Sequence, residues 1–300
     1  MTDRAKGLKG KTCLVTGATS GIGEVTALEL AGMGASVIVA GRNPDKCRAT
    51  VTRIREVTGN CDVELLLADL SSQAQVRALA GKFLERHDRL DVLVNNAGSA
   101  FPKRRLSADG IEMTFALNHL SYFLLTNLLL ETITSHGPAR IVNVSSNAHY
   151  GSPVDLNDLQ LERDYSVLKA YDRSKFANVL FTYELARRLE GTGVTANALH
   201  PGLVATNIVG HHPRLVQWGW KLYVHLRGGL TVEEGASTSL YLASSPEVEG
   251  VSGAYFAKGS RVLSDPATYD EAAARKLWEV SAQLTALSPK MPWLGQALVS

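Results

Sequence analysis

Two side chains four residues apart, Tyr171 and Lys175, stand in the run Ala170-Tyr171-Asp172-Arg173-Ser174-Lys175-Phe176-Ala177-Asn178. The amphipathic run that continues to Arg188 predicts a helix, on which positions i and i+4 share a face. A free phenol has a pKa of about 10, too high to exchange protons well near neutral pH. A cation held beside it favours the phenolate and lowers that value, making the tyrosine a usable general acid or base. A surface Tyr and Lys on one exposed helix face would read the same way, so the pair gains meaning only from the rest of the chain.

The elements that must position this pair belong to an ordinary globular composition. Of the 300 residues, 45% are hydrophobic and 20% charged, enough apolar material for a large core. A net charge of +2 points to neither nucleic acid nor any strongly charged partner. The three cysteines, Cys13, Cys47 and Cys61, are widely spaced and form no Cys-x-x-Cys, as reduced thiols would. His119, His149, His200, His211 and His212 lack metal-ligand spacing with nearby Cys or carboxylates, so no metal site is expected. The first ten residues hold no apolar core of a signal peptide, and no uninterrupted apolar run reaches the ~18 residues of a membrane span. The expectation is a soluble, cytoplasmic protein without a transmembrane segment.

Short apolar runs alternate with longer amphipathic ones. Strands are predicted at 12–16, 36–40, 63–68, 92–94, 140–144, 194–199 and 253–256, and helices at 21–32, 44–58, 71–86, 108–134, 165–189 and 231–243. The strand runs are near-continuous Val, Ile and Leu, as when helices cover both sheet faces. This alternation predicts an α/β chain, a single-domain Rossmann fold over 1–300 with a seven-stranded doubly wound parallel sheet. No repeat or linker divides it.

The first strand runs into Thr16-Gly17-Ala18-Thr19-Ser20-Gly21-Ile22-Gly23 and then a helix. Glycines there let the backbone turn sharply and approach a pyrophosphate, whose charge meets amide N–H groups at the helix start. The spacing is Gly-x-x-x-Gly-x-Gly, not the Gly-x-Gly-x-x-Gly of the general dinucleotide fingerprint. At the end of the second strand, where an NAD site places an acid for the ribose hydroxyls, the chain has Gly41 and Arg42. Arg42 suits a 2′-phosphate, favouring NADP(H) over NAD(H), although an Arg at a helix entrance also occurs without a ligand.

Thr16-Gly-x-x-x-Gly-Ile-Gly23, Asp69-Leu70, Asn95-Asn96-Ala97-Gly98, Asn118, Val144-Ser145-Ser146, Tyr171-x-x-Ser174-Lys175 and Pro201-Gly202 occur in this order. Over residues 10 to 260 the chain thereby resembles the short-chain dehydrogenase/reductases. Asn118-His119-Leu120, Ser145-Ser146-Asn147-Ala148-His149 and Ser174-Lys175-Phe176-Ala177-Asn178 are similar to the retinol-dehydrogenase-like branch, as is the Val-Glu-Gly-Val-Ser-Gly-Ala-Tyr-Phe run ending at Phe256. The resemblance implies that Gly17, Ser20, Gly21, Ile22 and Gly23 line the pyrophosphate. It implies that Arg42 meets the ribose phosphate and that Asp69 and Leu70 lie near the adenine. Asn95, Ala97 and Gly98 would flank the ribose and floor of the cofactor site, and Pro201, Gly202 and Thr206 the carboxamide end of the nicotinamide. Tyr171 would be the proton donor or acceptor. Lys175 would bond the nicotinamide ribose and depress the Tyr171 pKa. Ser146 would hold the substrate oxygen, and Asn118 would keep a water in a proton relay behind Lys175. Ser146 rather than Ser145 follows from the resemblance and from strand alternation, which sends neighbours to opposite faces. The long stretch between Ser146 and Tyr171 matches an insertion of the retinol-type branch, expected as a loop over the site mouth.

The implied activity is NADP(H)-dependent interconversion of a lipophilic alcohol and its aldehyde or ketone, retinol-like or otherwise apolar. Segment 207–229, with Leu215, Trp218, Trp220, Leu222 and Tyr223, is expected as a lid that either walls an apolar pocket, packs onto the body, or rests on a membrane with Arg214, Lys221 and Arg227 at the headgroups. Lys103-Arg104-Arg105 reads as a solvated loop. A helical tail from 261, with Leu277, Trp278 and Trp293, packs on the body or on the partner of a homodimer. Two other functions fit parts of the pattern: an NADP(H)-sensing module without turnover, and double-bond reduction as in protochlorophyllide reductases. Intact Tyr171, Lys175, Ser146 and Asn118 oppose the first. The Ser146 match and the absence of that group's cysteine pattern oppose the second.

Overall fold

The computed structural model of the chain describes residues 7–205 and 207–288. Eight strands form one sheet: β1 (Thr12–Thr16), β2 (Ser36–Gly41), β3 (Val63–Leu67), β4 (Val92–Asn95), β5 (Ala139–Val144), β6 (Val194–His200), β7 (Tyr255–Ala257) and β8 (Ser260–Val262). Their order is β3-β2-β1-β4-β5-β6-β7-β8, with every pairing parallel except β7 with β8. Successive strand residues serve opposite faces. Leu14, Ile38, Leu93 and Ile141 pack with Phe123, Phe181 and Trp278 on one side. Cys13, Val37, Val92 and Val142 pack with Leu30, Ile54 and Leu242 on the other. This two-sided burial is why the strands are apolar throughout.

The eighth strand corrects the expectation of seven. It is a three-residue antiparallel return from β7 through Lys258 and Gly259, both at positive φ (50° and 71°). That is the geometry of a two-residue primed turn, and Lys-Gly carries less of its signal than Asn-Gly does. The helix expected at 108–134 begins at Met113, because the Glu112 carboxylate accepts from the Thr114 and Phe115 amides and caps it there. Met113–Thr134 is the one helix among the described residues long and apolar enough to cross a membrane, and it is 78% buried inside the protein. The Val167–Arg188 helix starts two residues later than expected, where Ser166 accepts from the Lys169 amide. The 261–288 segment packs on the body through the Glu271–Leu284 helix, whose Trp278 ring lies 4.9 Å from that of Phe123. Trp293 lies outside the described residues.

Strand order reverses between β1 and β4, which opens a crevice beyond their carboxyl ends. The loops after β1, β2, β4, β5 and β6 converge there.

Candidate active site

The glycine loop is held shut from beneath. Asn96 Nδ2 donates to Thr16 O (2.9 Å), and Thr16 Oγ1 accepts from the Asn96 and Ala97 amides (2.9 and 3.1 Å). Gly17 and Gly21 adopt positive φ, 64° and 60°, which disfavours any other residue. A Cβ at Gly23 would lie 2.3 Å from Asn96 Nδ2 and 2.5 Å from Gly17 O, so only glycine lets the helix start pack against the loop. Sequence reasoning passed over Asn96 as a functional position. Its signal was the doubled asparagine after β4, whose first member serves elsewhere. Asn95 is fully buried and donates to Thr126 Oγ1 and Asn143 Oδ1, so its side chain ties strands together and does not line the crevice.

A cavity of about 510 Å³ runs along the crevice and gathers Gly17, Ser20, Gly21, Ile22, Gly23, Arg42, Asp69, Leu70, Ala97, Gly98, Tyr171, Lys175 and Pro201, all expected on sequence grounds. Gly202, at positive φ, follows Pro201 outside the lining, and Thr206 lies outside the described residues. At the opposite end, Gly41 closes β2 with no room for a side chain: a Cβ would meet Thr19 Cγ2 at 2.8 Å and Cys47 Sγ at 2.9 Å. The first side chain beyond it is Arg42, which shares the lining with Lys46 and His211. Arg42 Nη2 stands 3.3 Å from His211 Nε2, and the His211 ring stacks on Phe101 at 4.5 Å.

Lys175 is buried, and its ammonium donates to Val144 O at 2.9 Å. Beside it, a single π-helical turn, Ala116–Leu120, interrupts the Met113–Thr134 helix and carries Asn118. Such turns are rare and gather at functional sites. Asn118 Oδ1 accepts from the Ser99 amide (2.9 Å), and Nδ2 donates to Ser99 O (3.1 Å) and Ser174 Oγ (2.9 Å). The amide expected to keep a water therefore holds the loop after β4 against the Val167–Arg188 helix. Gly98 passes between them, where a Cβ would come within 3.3 Å of Asn118 Oδ1 and 3.4 Å of Lys175 Nζ.

Tyr171 faces the cavity with its ring centroid 5.7 Å from Lys175 Nζ. The expectation that Lys175 depresses its pKa meets a stronger effect. Burial pushes the phenol well above its ordinary range, Asp172 adds to the rise, and a hydrogen bond with Ser146 opposes it. Burial likewise pulls Lys175 down to about 7. Both shifts favour the neutral forms, because withdrawing charge from water costs more than the pair recovers at this distance.

The two serines divide differently from the expectation: Ser145 lines the cavity and Ser146 does not, although the Ser146 hydroxyl pairs with Tyr171. Ser145 is buried and donates to Lys175 O at 2.7 Å, tying β5 to the helix. Ser146 is partly exposed and accepts from the Ala148 amide. Its carbonyl is gripped by His149 Nδ1 (2.7 Å) and Tyr255 Oη (3.2 Å), while His149 Nε2 accepts from the Asp265 amide (3.1 Å). That last bond fixes the imidazole tautomer with its proton on Nδ1. Neither His149 nor Tyr255 was a predicted site residue. The loop between Ser146 and the helix packs back through Tyr150 Oη on Leu263 O and Tyr165 Oη on Phe101 O, both 2.6 Å.

The 207–229 segment latches to the site through Ile208 O, which accepts from Ala100 N (3.0 Å) and Ser99 Oγ (3.1 Å). It continues as the Arg214–Leu226 helix, of which only Val224 is buried and only Gln217 lines the cavity. Leu215, Trp218, Leu222 and Tyr223 do not wall a pocket. They face solvent.

A doubly wound sheet with a glycine-rich turn at its switch point and a Ser–Tyr–Lys cluster beside it defines a dinucleotide-dependent oxidoreductase of alcohols and carbonyls. Residues 11–214 match the short chain dehydrogenase family. The chain is 45% identical over 296 residues to human retinol dehydrogenase 14, covering 93% of this chain and 88% of the relative. It is 43% identical to human polyprenol dehydrogenase, covering 92% and 85%. Among solved structures, a protein of Mycobacterium paratuberculosis superimposes with TM-score 0.75 at 33% identity, covering 94% and 96%. A 3-oxoacyl (acyl-carrier-protein) reductase of Agrobacterium tumefaciens, solved with NADP bound, does so with TM-score 0.68 at 27% identity, covering 85% and 95%. The chain belongs to the short-chain dehydrogenase family, in its retinol-dehydrogenase-like branch.

Proposed function

We propose that the chain is an NADP(H)-dependent oxidoreductase that interconverts a lipophilic alcohol and its aldehyde or ketone, with Tyr171 as general acid or base. The observation that carries it is the convergence of Tyr171, hydrogen-bonded to Ser146, with Lys175 at one end of a crevice whose other end closes on Gly41 and Arg42. The residues fit a dinucleotide. Positive φ at Gly17 and Gly21, and a packing against Asn96 and Ala97 that leaves no room for a Cβ at Gly17 or Gly23, shape the turn and bring its backbone to a helix start that favours anions. At the adenosine end, the crowding around Gly41 excludes the carboxylate an NAD site would use, whereas Arg42 and Lys46 offer cations to a 2′-phosphate. The NADP bound to the reductase relative points the same way.

A bound nicotinamide supplies the hydride. The protein's own groups handle the substrate oxygen. The Ser146 and Tyr171 hydroxyls hold it, and both stabilise charge that develops there during reduction. Tyr171 then gives up its proton, and the raised phenol affinity for protons makes the neutral donor the resting form. Lys175, anchored on Val144 O, binds the nicotinamide ribose. Asn118 acts as a positioning residue by fixing the loop at Ser99 and the helix at Ser174. Relatives named for retinol and polyprenol support a lipophilic substrate.

Absorbance of NADPH and of NADH on mixing with apolar aldehydes, retinal among them, tests this. NADPH-dependent turnover should fall by about 10²–10⁴-fold in Tyr171→Phe, the usual contribution of a general acid, with NADPH affinity retained. Tight NADPH binding without turnover on any carbonyl or alcohol would replace the enzyme with a cofactor sensor.

A further inference from the structure

The Arg214–Leu226 helix presents solvent with a face that a water-exposed helix does not normally carry. Leu215 is 78% exposed, Leu226 75% and Trp218 64%, and Val216, Leu222 and Tyr223 join them. At 100° per residue these six side chains occupy one continuous arc. The inward arc, with buried Val224 and cavity-lining Gln217, is separate, so closing the segment further onto the body would not cover them. Arg214, Lys221 and Arg227 flank the apolar arc, and the sequence holds no Asp or Glu between Glu190 and Glu233.

We infer that this helix lies in the interface of a membrane bearing anionic lipids, with its apolar arc among the acyl chains and its cations at the headgroups. An apolar face, flanking Lys and Arg, and aromatic residues at the boundary are what an interfacial helix requires. Charge decides against a second copy of the chain as the cover. Twofold packing of this face on itself would gather the flanking cations Arg214, Lys221 and Arg227 of both copies around one interface, with no carboxylate in the segment to offset them. Anionic headgroups meet all three cations at once. The same segment runs from the cavity wall at Ile208, Gly210 and His211 directly into the helix, so the crevice opens beside the docked face. A lipophilic substrate dissolved in the bilayer would then enter without crossing water. Membrane docking stands on the helix face alone, and the entry route rests on the proposed lipophilic substrate.

The test is flotation of the full chain with vesicles of phosphatidylcholine alone or mixed with phosphatidylserine, at physiological and at high salt. Three cations at about 1 kcal/mol each predict binding on the order of a hundredfold tighter to the anionic vesicles, falling with salt. Leu222→Ser with Leu226→Ser should weaken it more than about tenfold, because each loses buried methylene area. NADPH-dependent turnover of a water-soluble aldehyde should stay unchanged in that variant, which separates failure of docking from failure of the catalytic proposal. Lys221→Glu with Arg227→Glu should abolish the preference for phosphatidylserine while the thermal midpoint holds. Absence of binding to either vesicle, or binding indifferent to both variants, overturns the inference. So does a native dimer that Leu222→Ser with Leu226→Ser converts to monomer, since the face would then cover a second copy.

Discussion

Replacing Gly23 by alanine puts a methyl carbon 2.3 Å from Asn96 Nδ2 and 2.5 Å from Gly17 O, both inside the distance at which real Cβ contacts occur. Relief of both overlaps requires movement of about 1 Å, of the Gly21–Gly32 helix away from Gly17 O and of the Asn96 amide away from Thr16 O. The first is overpacking, at about 1–3 kcal/mol, and the second forfeits a hydrogen bond of about 1 kcal/mol. The total, about 2–4 kcal/mol, should lower the melting temperature by roughly 3–6 °C in a chain of this size. Displacement of the helix start moves the amides that would meet the pyrophosphate, so NADPH affinity should drop at least about tenfold. Calorimetry and fluorescence titration read the two effects separately. Asn96→Ala in the same background removes one of the two overlaps, so the double variant should be less destabilised than the sum of the singles by about 1 kcal/mol. Gly81→Ala is the control: nothing lies within 4 Å of the added carbon in its helix, and stability should rise by about 0.5–1 kcal/mol. A Gly23→Ala protein with native melting temperature and NADPH affinity would refute the close approach.

Arg42→Ala should weaken NADPH binding by about 10–100-fold, the range of a charge-assisted phosphate contact, and leave NADH binding nearly unchanged. Equal loss for both cofactors would remove the phosphate assignment. The proton on Lys175 gives a pH dependence. Burial sets its pKa at about 7, and ribose oxygens accepting from Nζ would favour the cation and raise it. Cofactor binding then takes up a proton, so affinity is complete below about pH 7 and declines as pH rises above it. Titration calorimetry in buffers of different ionisation enthalpy should detect that uptake in the native protein and none in Lys175→Met.

What could be read from residue order alone was whatever short loops dictate locally. A strand that must turn into a helix beside a pyrophosphate needs glycines at fixed offsets, so Gly17, Gly21 and Gly23 were legible, as were Ala97 and Gly98 after β4. Contacts that join distant segments were not. Asn96 and Asn95 are neighbours of one type, yet one latches the glycine loop and the other bonds Thr126 and Asn143 inside the core. Only strand alternation in three dimensions separates them. The grip of His149 and Tyr255 on the Ser146 carbonyl joins positions 109 residues apart. The direction of the Tyr171 shift depends on how much water the folded wall excludes, which four-residue spacing to Lys175 does not encode. The Arg214–Leu226 helix shows the same limit from the other side. Its apolar residues were legible, but a pocket wall, packing on the body and a membrane surface all remained open for them. Their outward direction follows from Val224 and Gln217 taking the inner face and from the Ile208 latch that orients the segment. A helix so placed cannot both wall the crevice with Trp218 and Leu222 and bury Val224, and this mutual exclusion is what turns its apolar arc away from the body.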